Sequence, residues 1–262
     1  MSGAHPGTDL FNLAGRVAAV VGGAGVLGSG FCRGLADAGA SVAVLDLSAE
    51  RAEEVARDLR TRGTHAVGMA IDATDRGQVD NRCADILAEF GAVDVLINAV
   101  GVNSATPFFD VTESEWERII AINLTSAFHT CQRFGKVMVE SGRGGSIINI
   151  SSTASGPPLS QVFTYGITKA GVNNLTQYLA REFAPAGVRV NAILPGFFPA
   201  EQNRQILSTE RVDAIVAHTP MGRLGSPDEL IGTVIWLASE RASGFVTGAL
   251  VRVDGGFHAM TI

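Results

Sequence analysis

From near its start to near its end, the chain alternates short apolar runs with longer segments whose apolar residues recur every third or fourth position. Val17 to Val21, Ser41 to Leu45, His65 to Ala70, Val93 to Ile97, Ser146 to Ile150, Val188 to Leu194 and Ala249 to Val253 read as strands. Most are apolar on successive residues, the pattern of parallel strands covered on both faces. Helical periodicity fills Ser29 to Ala38, Ala49 to Arg62, Arg76 to Phe90, Glu113 to Ser141, Gln161 to Pro185 and Asp228 to Ser239. This order predicts an α/β fold: a doubly wound, Rossmann-type parallel sheet of about seven strands with helices on both faces. Residues 1–12 read as an N-terminal extension to a single domain over 13–262. The irregular stretch 196–223 is long for a connection and is expected to be a substrate lid.

At 262 residues the chain suits one large domain. Its 46% hydrophobic content and 31 glycines describe a compact protein with many tight turns. A formal net charge of -6, with scattered lysines and arginines, argues against nucleic acid as a partner. The three cysteines show no spacing for a metal or a disulfide framework, which points to a reducing cytoplasm. No apolar stretch approaches the length of a membrane span, and no signal sequence is evident.

The first chemical signal lies where the first strand meets the first helix, in Gly22-Gly23-Ala24-Gly25-Val26-Leu27-Gly28. Gly23, Gly25 and Gly28 satisfy G-x-G-x-x-G, a spacing that lets a pyrophosphate approach backbone amides at a helix N-terminus. Such loops are common by themselves. Here the loop follows a strand and opens a helix, and Asp46 closes the second strand near the offset at which an acid meets the adenosine ribose. A carboxylate there favours NAD(H) and repels the 2′-phosphate of NADP. No arginine adjoins Asp46 in the sequence, Arg51 being already a turn into the next helix. The plainer alternative for Asp46 is a strand-end or capping residue.

From about Leu13 to Gly256 the chain resembles the short-chain dehydrogenases/reductases. Their T-G-x-x-x-G-x-G pattern falls on Val21, Gly22, Val26 and Gly28, with valine in place of the threonine and of the middle glycine. The resemblance implies that Gly22, Gly25, Val26, Leu27, Gly28, Asp46 and Leu47 bind the cofactor. It implies the same for Asp72 and Ala73 at the end of the third strand, and for Asn98 in Asn98-Ala-Val-Gly101. Without it, Asn98 reads as a strand-end turn residue. Pro195, Gly196 and Phe198 are implied to line the nicotinamide pocket, although Ala200 stands where the family has threonine.

Tyr165 and Lys169 stand four residues apart, on one face of a helix. That spacing alone also describes an exposed polar face. The resemblance assigns them the catalytic roles, with Ser152 and Asn123 in support. An ammonium about 4 Å from a phenol stabilises the phenolate by about 4 kcal/mol at an effective dielectric near 20, which would draw its pKa from about 10 toward about 7. Tyr165 is then expected to exchange a proton with the substrate hydroxyl, Ser152 to donate to the substrate oxygen, and Asn123 to hold water near Lys169.

The lid and the glycine loop are similar to the gluconate 5-dehydrogenase and fructuronate (mannonate) reductase branch, implying a small sugar acid or polyol as substrate. Candidate substrate contacts are Asn103, Ser152, Asn203 and Arg204, with Arg204 suited to a carboxylate; Arg204 and His218 read equally as solvated lid residues. A 3-oxoacyl-carrier reductase and a non-catalytic dinucleotide-binding protein are the alternatives. Asp46 and a polar lid argue against the first, an intact tetrad against the second. The resemblance also implies a homotetramer or homodimer, and the apolar Phe257 to Ile262 tail suggests burial at its interface.

Overall fold

In the computed structural model, residues 10–198 and 208–260 are described. They contain a seven-stranded, all-parallel sheet in the order β3-β2-β1-β4-β5-β6-β7. The strands are β1 (Val17–Val21), β2 (Ser41–Asp46), β3 (Ala66–Ala70), β4 (Val95–Asn98), β5 (Gly145–Ile150), β6 (Val188–Pro195) and β7 (Leu250–Val253). Every residue of β1, β4 and β6 is buried, which is why these strands read as unbroken apolar runs. Helices α1 (Val26–Asp37), α2 (Ala49–Thr61) and α3 (Arg76–Phe90) connect the first half. In the second half come α4 (Glu113–Ile120), α5 (Ser126–Ser141), α6 (Phe163–Phe183), α7 (Thr209–His218), α8 (Ile231–Ala238) and the short α9 (Glu240–Ser243). One core packs α1 and α8 against the sheet, and a second packs α3 and α5 on the opposite face.

The strand order reverses between β1 and β4, which opens a crevice at their carboxyl ends. Gly22, just after β1, has φ +79, and a Cβ there would stand 3.0 Å from the Ala99 carbonyl carbon just after β4. The two crevice walls touch at a position only glycine fits.

Three expectations change. The segment Glu113 to Ser141 is not one helix: a π-helical turn, Ala121–Thr125, separates α4 from α5. Asn123 lies in that turn and is buried, an irregularity often found at functional sites. The stretch 196–223 is not wholly irregular, because α7 occupies Thr209–His218 behind a Ser208 N-cap that accepts from Arg211 N. Phe257 is covered within its own chain, against Phe197 and His218, so it is not held in reserve for an interface.

Candidate active site

β5 delivers Ser152 to the crevice as the N-cap of a 3₁₀ turn, Thr153–Ser155, where its Oγ accepts from Ala154 N at 3.1 Å. The first turn of α6 brings Tyr165 to the same place, where the Ser152 side chain favours its phenolate form. One turn on, Lys169 is 3% exposed. Its Nζ donates to the Ile150 carbonyl at 2.9 Å and lies 5.5 Å from the centre of the Tyr165 ring. Asn123 Oδ1 accepts from Val102 N at 2.8 Å, and its Nδ2 donates to Val102 O at 2.9 Å and to Thr168 Oγ1 at 3.1 Å. Thr168 in turn donates to the Tyr165 carbonyl at 2.7 Å. The four catalytic candidates thus meet in one place, and the π turn is what aims Asn123 inward.

Thr168 links Asn123 to α6 and was not singled out by sequence; its place between Tyr165 and Lys169 was the available signal. Beside Lys169 and Asn123 lies a narrow cavity of about 10 Å³, also lined by Asn98, Ser126 and Asn149. Polar walls and that volume suit about one water.

The electrostatics differ from the expectation of a phenol drawn toward neutral pH. Burial pushes the Tyr165 hydroxyl above its usual range, and the Ser152 side chain pulls it only partly back. Burial also lowers Lys169 to about 8. The ammonium faces the ring and a carbonyl, and the low dielectric that would strengthen an ion pair penalises both charged forms.

Along the crevice, α1 begins at Gly25, where no side chain caps its first amides, leaving donors for an anion. Val26 and Leu47 stand exposed at its rim, and Leu27 packs inward against the core. Gly28 lies in the first turn of α1, and Asp46 ends β2 with Oδ2 accepting from Ala24 N at 3.0 Å. Asp72 Oδ1 accepts from Thr74 N and Oγ1 within its own turn, and Ala73 beside it is buried. Pro195 closes β6 and Gly196 follows it, with Gly196 N bonded to Val253 O at 2.9 Å.

Comparison with known proteins settles the family. A family model described as enoyl-(acyl carrier protein) reductase matches residues 22–258. An uncharacterized oxidoreductase of Bacillus subtilis, UxuB, is 41% identical, over 95% of this chain and 96% of its own. A D-threitol dehydrogenase of Mycolicibacterium smegmatis is 38% identical over 94% of each. A gluconate 5-dehydrogenase of Burkholderia cenocepacia, solved with NADP and tartrate, superposes with a TM-score of 0.94 at 34% identity, covering 97% of this chain and 100% of its own. The chain belongs to the short-chain dehydrogenase/reductase family. It is an oxidoreductase of CH–OH groups that uses a nicotinamide cofactor and a small-molecule substrate, and no helix among its described residues is long and apolar enough to cross a membrane.

Within this short-chain dehydrogenase fold, some assignments shift. Asn98 turns its amide into the interior, donating to Asn149 Oδ1 at 2.8 Å and accepting from Thr130 Oγ1 at 2.8 Å. Its side chain therefore braces β4 against β5 at the wall of the cavity beside Lys169. The Phe198 side chain is core, 7% exposed. Arg51, remote from Asp46 in sequence, folds back so that its Nη2 donates to Ala24 O at 2.6 Å. One residue of the glycine loop, Ala24, thus joins Arg51 and Asp46, because α2 turns its first residues toward β1. Asn103 follows the clamped Val102 and its Oδ1 accepts from Ser104 N at 2.7 Å. Ala200, Asn203 and Arg204 lie outside the described residues.

Proposed function

We propose that this protein is an NAD(H)-preferring dehydrogenase of a sugar acid or polyol, with Tyr165 as general acid and base. The observation that carries the reading is the convergence of Tyr165, Ser152 and Lys169 at the carboxyl end of β5, with the Lys169 ammonium over the Tyr165 ring. The groove fits a dinucleotide: uncapped amides at Gly25 suit the pyrophosphate, Asp46 suits the ribose diol, and exposed Leu47 suits an adenine face. Asp72, Ala73, Pro195, Gly196 and Phe198 complete the proposed cofactor contacts. When bound, the nicotinamide supplies a hydride acceptor or donor.

Ser152 donates a hydrogen bond to the substrate oxygen as negative charge develops on it. Tyr165 takes the hydroxyl proton in alcohol oxidation and returns it in ketone reduction. Lys169 holds the nicotinamide ribose and favours the phenolate, and Asn123 connects it to water through the adjoining cavity. The stretch 196–223 serves as lid, with Asn103, Asn203 and Arg204 as substrate contacts. The reading includes a homotetramer or homodimer in the cytoplasm, in keeping with three buried, free cysteines.

The substrate class draws support from the D-threitol dehydrogenase and gluconate 5-dehydrogenase likenesses. A panel of sugar acids, polyols and acetoacetyl thioesters, followed by nicotinamide absorbance with NAD(H) and NADP(H), tests it. Turnover of sugar acids or polyols with NAD(H) is expected. Turnover of thioesters alone with NADPH would make it a 3-oxoacyl-carrier reductase, and silence throughout a non-catalytic dinucleotide-binding protein.

A further inference from the structure

Behind the Ser152 turn, the chain's last described residues form a compact knot. Asp254 accepts from Gly256 N at 3.0 Å and from His258 N at 3.1 Å, closing a turn that directs His258 inward. His258 Nδ1 meets Thr153 Oγ1 at 2.6 Å and lies 3.4 Å from Asp254 Oδ2. The imidazole is 12% exposed, and its Nε2 is buried with no hydrogen-bond partner among the described residues. The approach is tight: a Cβ on Gly156 would stand 2.6 Å from that Nε2. Thr153 itself is 2% exposed and directly follows Ser152.

The same knot grips two further parts of the site. A Cβ on Gly196 would lie 2.7 Å from Asp254 Cα, so the loop after β6 rests on it. Phe257 packs against Phe197 at 5.1 Å and against His218 of α7 at 4.5 Å between ring centres. Met221 N donates to Gly255 O at 3.1 Å. The Ser152 turn, the loop after Pro195 and the segment after α7 therefore share one support, and among the described residues the hydrogen bond between side chains is the one to the Ser152 turn.

We propose that His258 is a positioning residue, which through Thr153 holds the Ser152 hydroxyl in line with Tyr165. Nδ1 faces two oxygens, one of them a carboxylate, so it carries the proton and Thr153 Oγ1 accepts. Burial keeps the imidazole below its usual pKa, with Arg252 lowering it further and Asp254 opposing, so this tautomer is the neutral one. An orphaned, buried Nε2 is a cost that a tail with no task beyond packing would shed with an apolar residue. Catalytic groups held within fractions of an ångström depend on such supports.

The inference rests on the proposed catalytic role of Ser152, and the test separates the two. With a substrate turned over in the panel, His258→Ala and Thr153→Val are each expected to lower kcat about tenfold, leaving KM for the cofactor within about twofold. The double variant is expected to be no slower than either single, since both break one contact. His258→Asn, whose amide reaches the Nδ1 position, and Thr153→Ser restore kcat to within about twofold of wild type. Unchanged kcat in His258→Ala, or losses that multiply in the double variant, overturns the proposal; so does loss of kcat in His258→Asn equal to that in His258→Ala. If the alanine or valine variants melt well below the wild type, the Asn and Ser variants carry the comparison. Ser152→Ala retaining full activity, or a wild type silent on the whole panel, defeats the underlying reading. An inactive Ser152→Ala beside a fully active His258→Ala defeats only this inference.

Discussion

Asp94, just before β4 at the amino end of the sheet, and Lys169, facing the carboxyl end of β5, are both 3% exposed. Asp94 is answered fully: Arg16 at 3.2 Å, Arg143 at 3.0 Å and Val17 N at 2.9 Å surround its carboxylate. Lys169 has one carbonyl at 2.9 Å and an aromatic face, and no carboxylate pairs with it among the described residues. The buried acid ties β1 to β4 and to the turn before β5. The buried base is left in want of a partner, which is the condition of a group kept for chemistry. One sheet thus carries a satisfied charge at its amino end and an unpaired one at its carboxyl end.

The sharpest break would come from Tyr165→Phe, which keeps the ring under Lys169 and removes only the hydroxyl. Turnover should fall at least about a thousandfold, with cofactor affinity, measured by titration of intrinsic fluorescence, little changed. At the amino end, Asp94→Ala takes the acid from two partly exposed arginines and the acceptor from Val17 N, and should cost about 1–3 kcal/mol in denaturant unfolding. The comparison requires the opposite sign at the carboxyl end. A lysine pKa lowered from 10.5 to about 8 corresponds to a penalty of about 3 kcal/mol on the charged form. Lys169→Met should therefore abolish turnover while raising stability at neutral pH by up to about 3 kcal/mol; a lower Tm than wild type would refute the comparison.

The same shift sets a pH dependence. Between about 8 and 10.5 the unfolded chain holds the Lys169 proton and the folded chain does not, so this residue's contribution makes stability rise with pH through that window. Lys169→Met should flatten the rise, seen as a loss of slope in unfolding free energy against pH. The smallest expected effect is on cofactor choice. Asp46→Asn removes the repulsive carboxylate and should shift the ratio of kcat/KM for NAD to that for NADP toward NADP about tenfold.

Much of this was readable from the chain. The seven strands lie within a few residues of the apolar runs, and α3 matches its periodic segment at both ends, because an Asp75 cap and Gly91 in the left-handed region bound it. Tyr165, Lys169 and Ser152 were nameable because their neighbours along the chain form a specific pattern. The π turn at Asn123 was hidden inside a continuous helical periodicity, since one extra residue in a turn leaves the spacing of apolar positions nearly intact. α7 was masked by the polar residues around it, although Ser208 and buried Ile215 were its signals.

The sequence by itself determined the fold and the cleft, which depend on periodicity, and named the catalytic candidates through the motifs in which it resembles the family. Tertiary structure alone decided that Asn98 faces inward, that Arg51 reaches the glycine loop and that His258 meets Thr153 across 105 residues. It also decided that burial outweighs the pull of the Ser152 side chain at Tyr165. Contacts between distant segments and the dielectric around a group arise only when the chain is packed, and no local pattern records them.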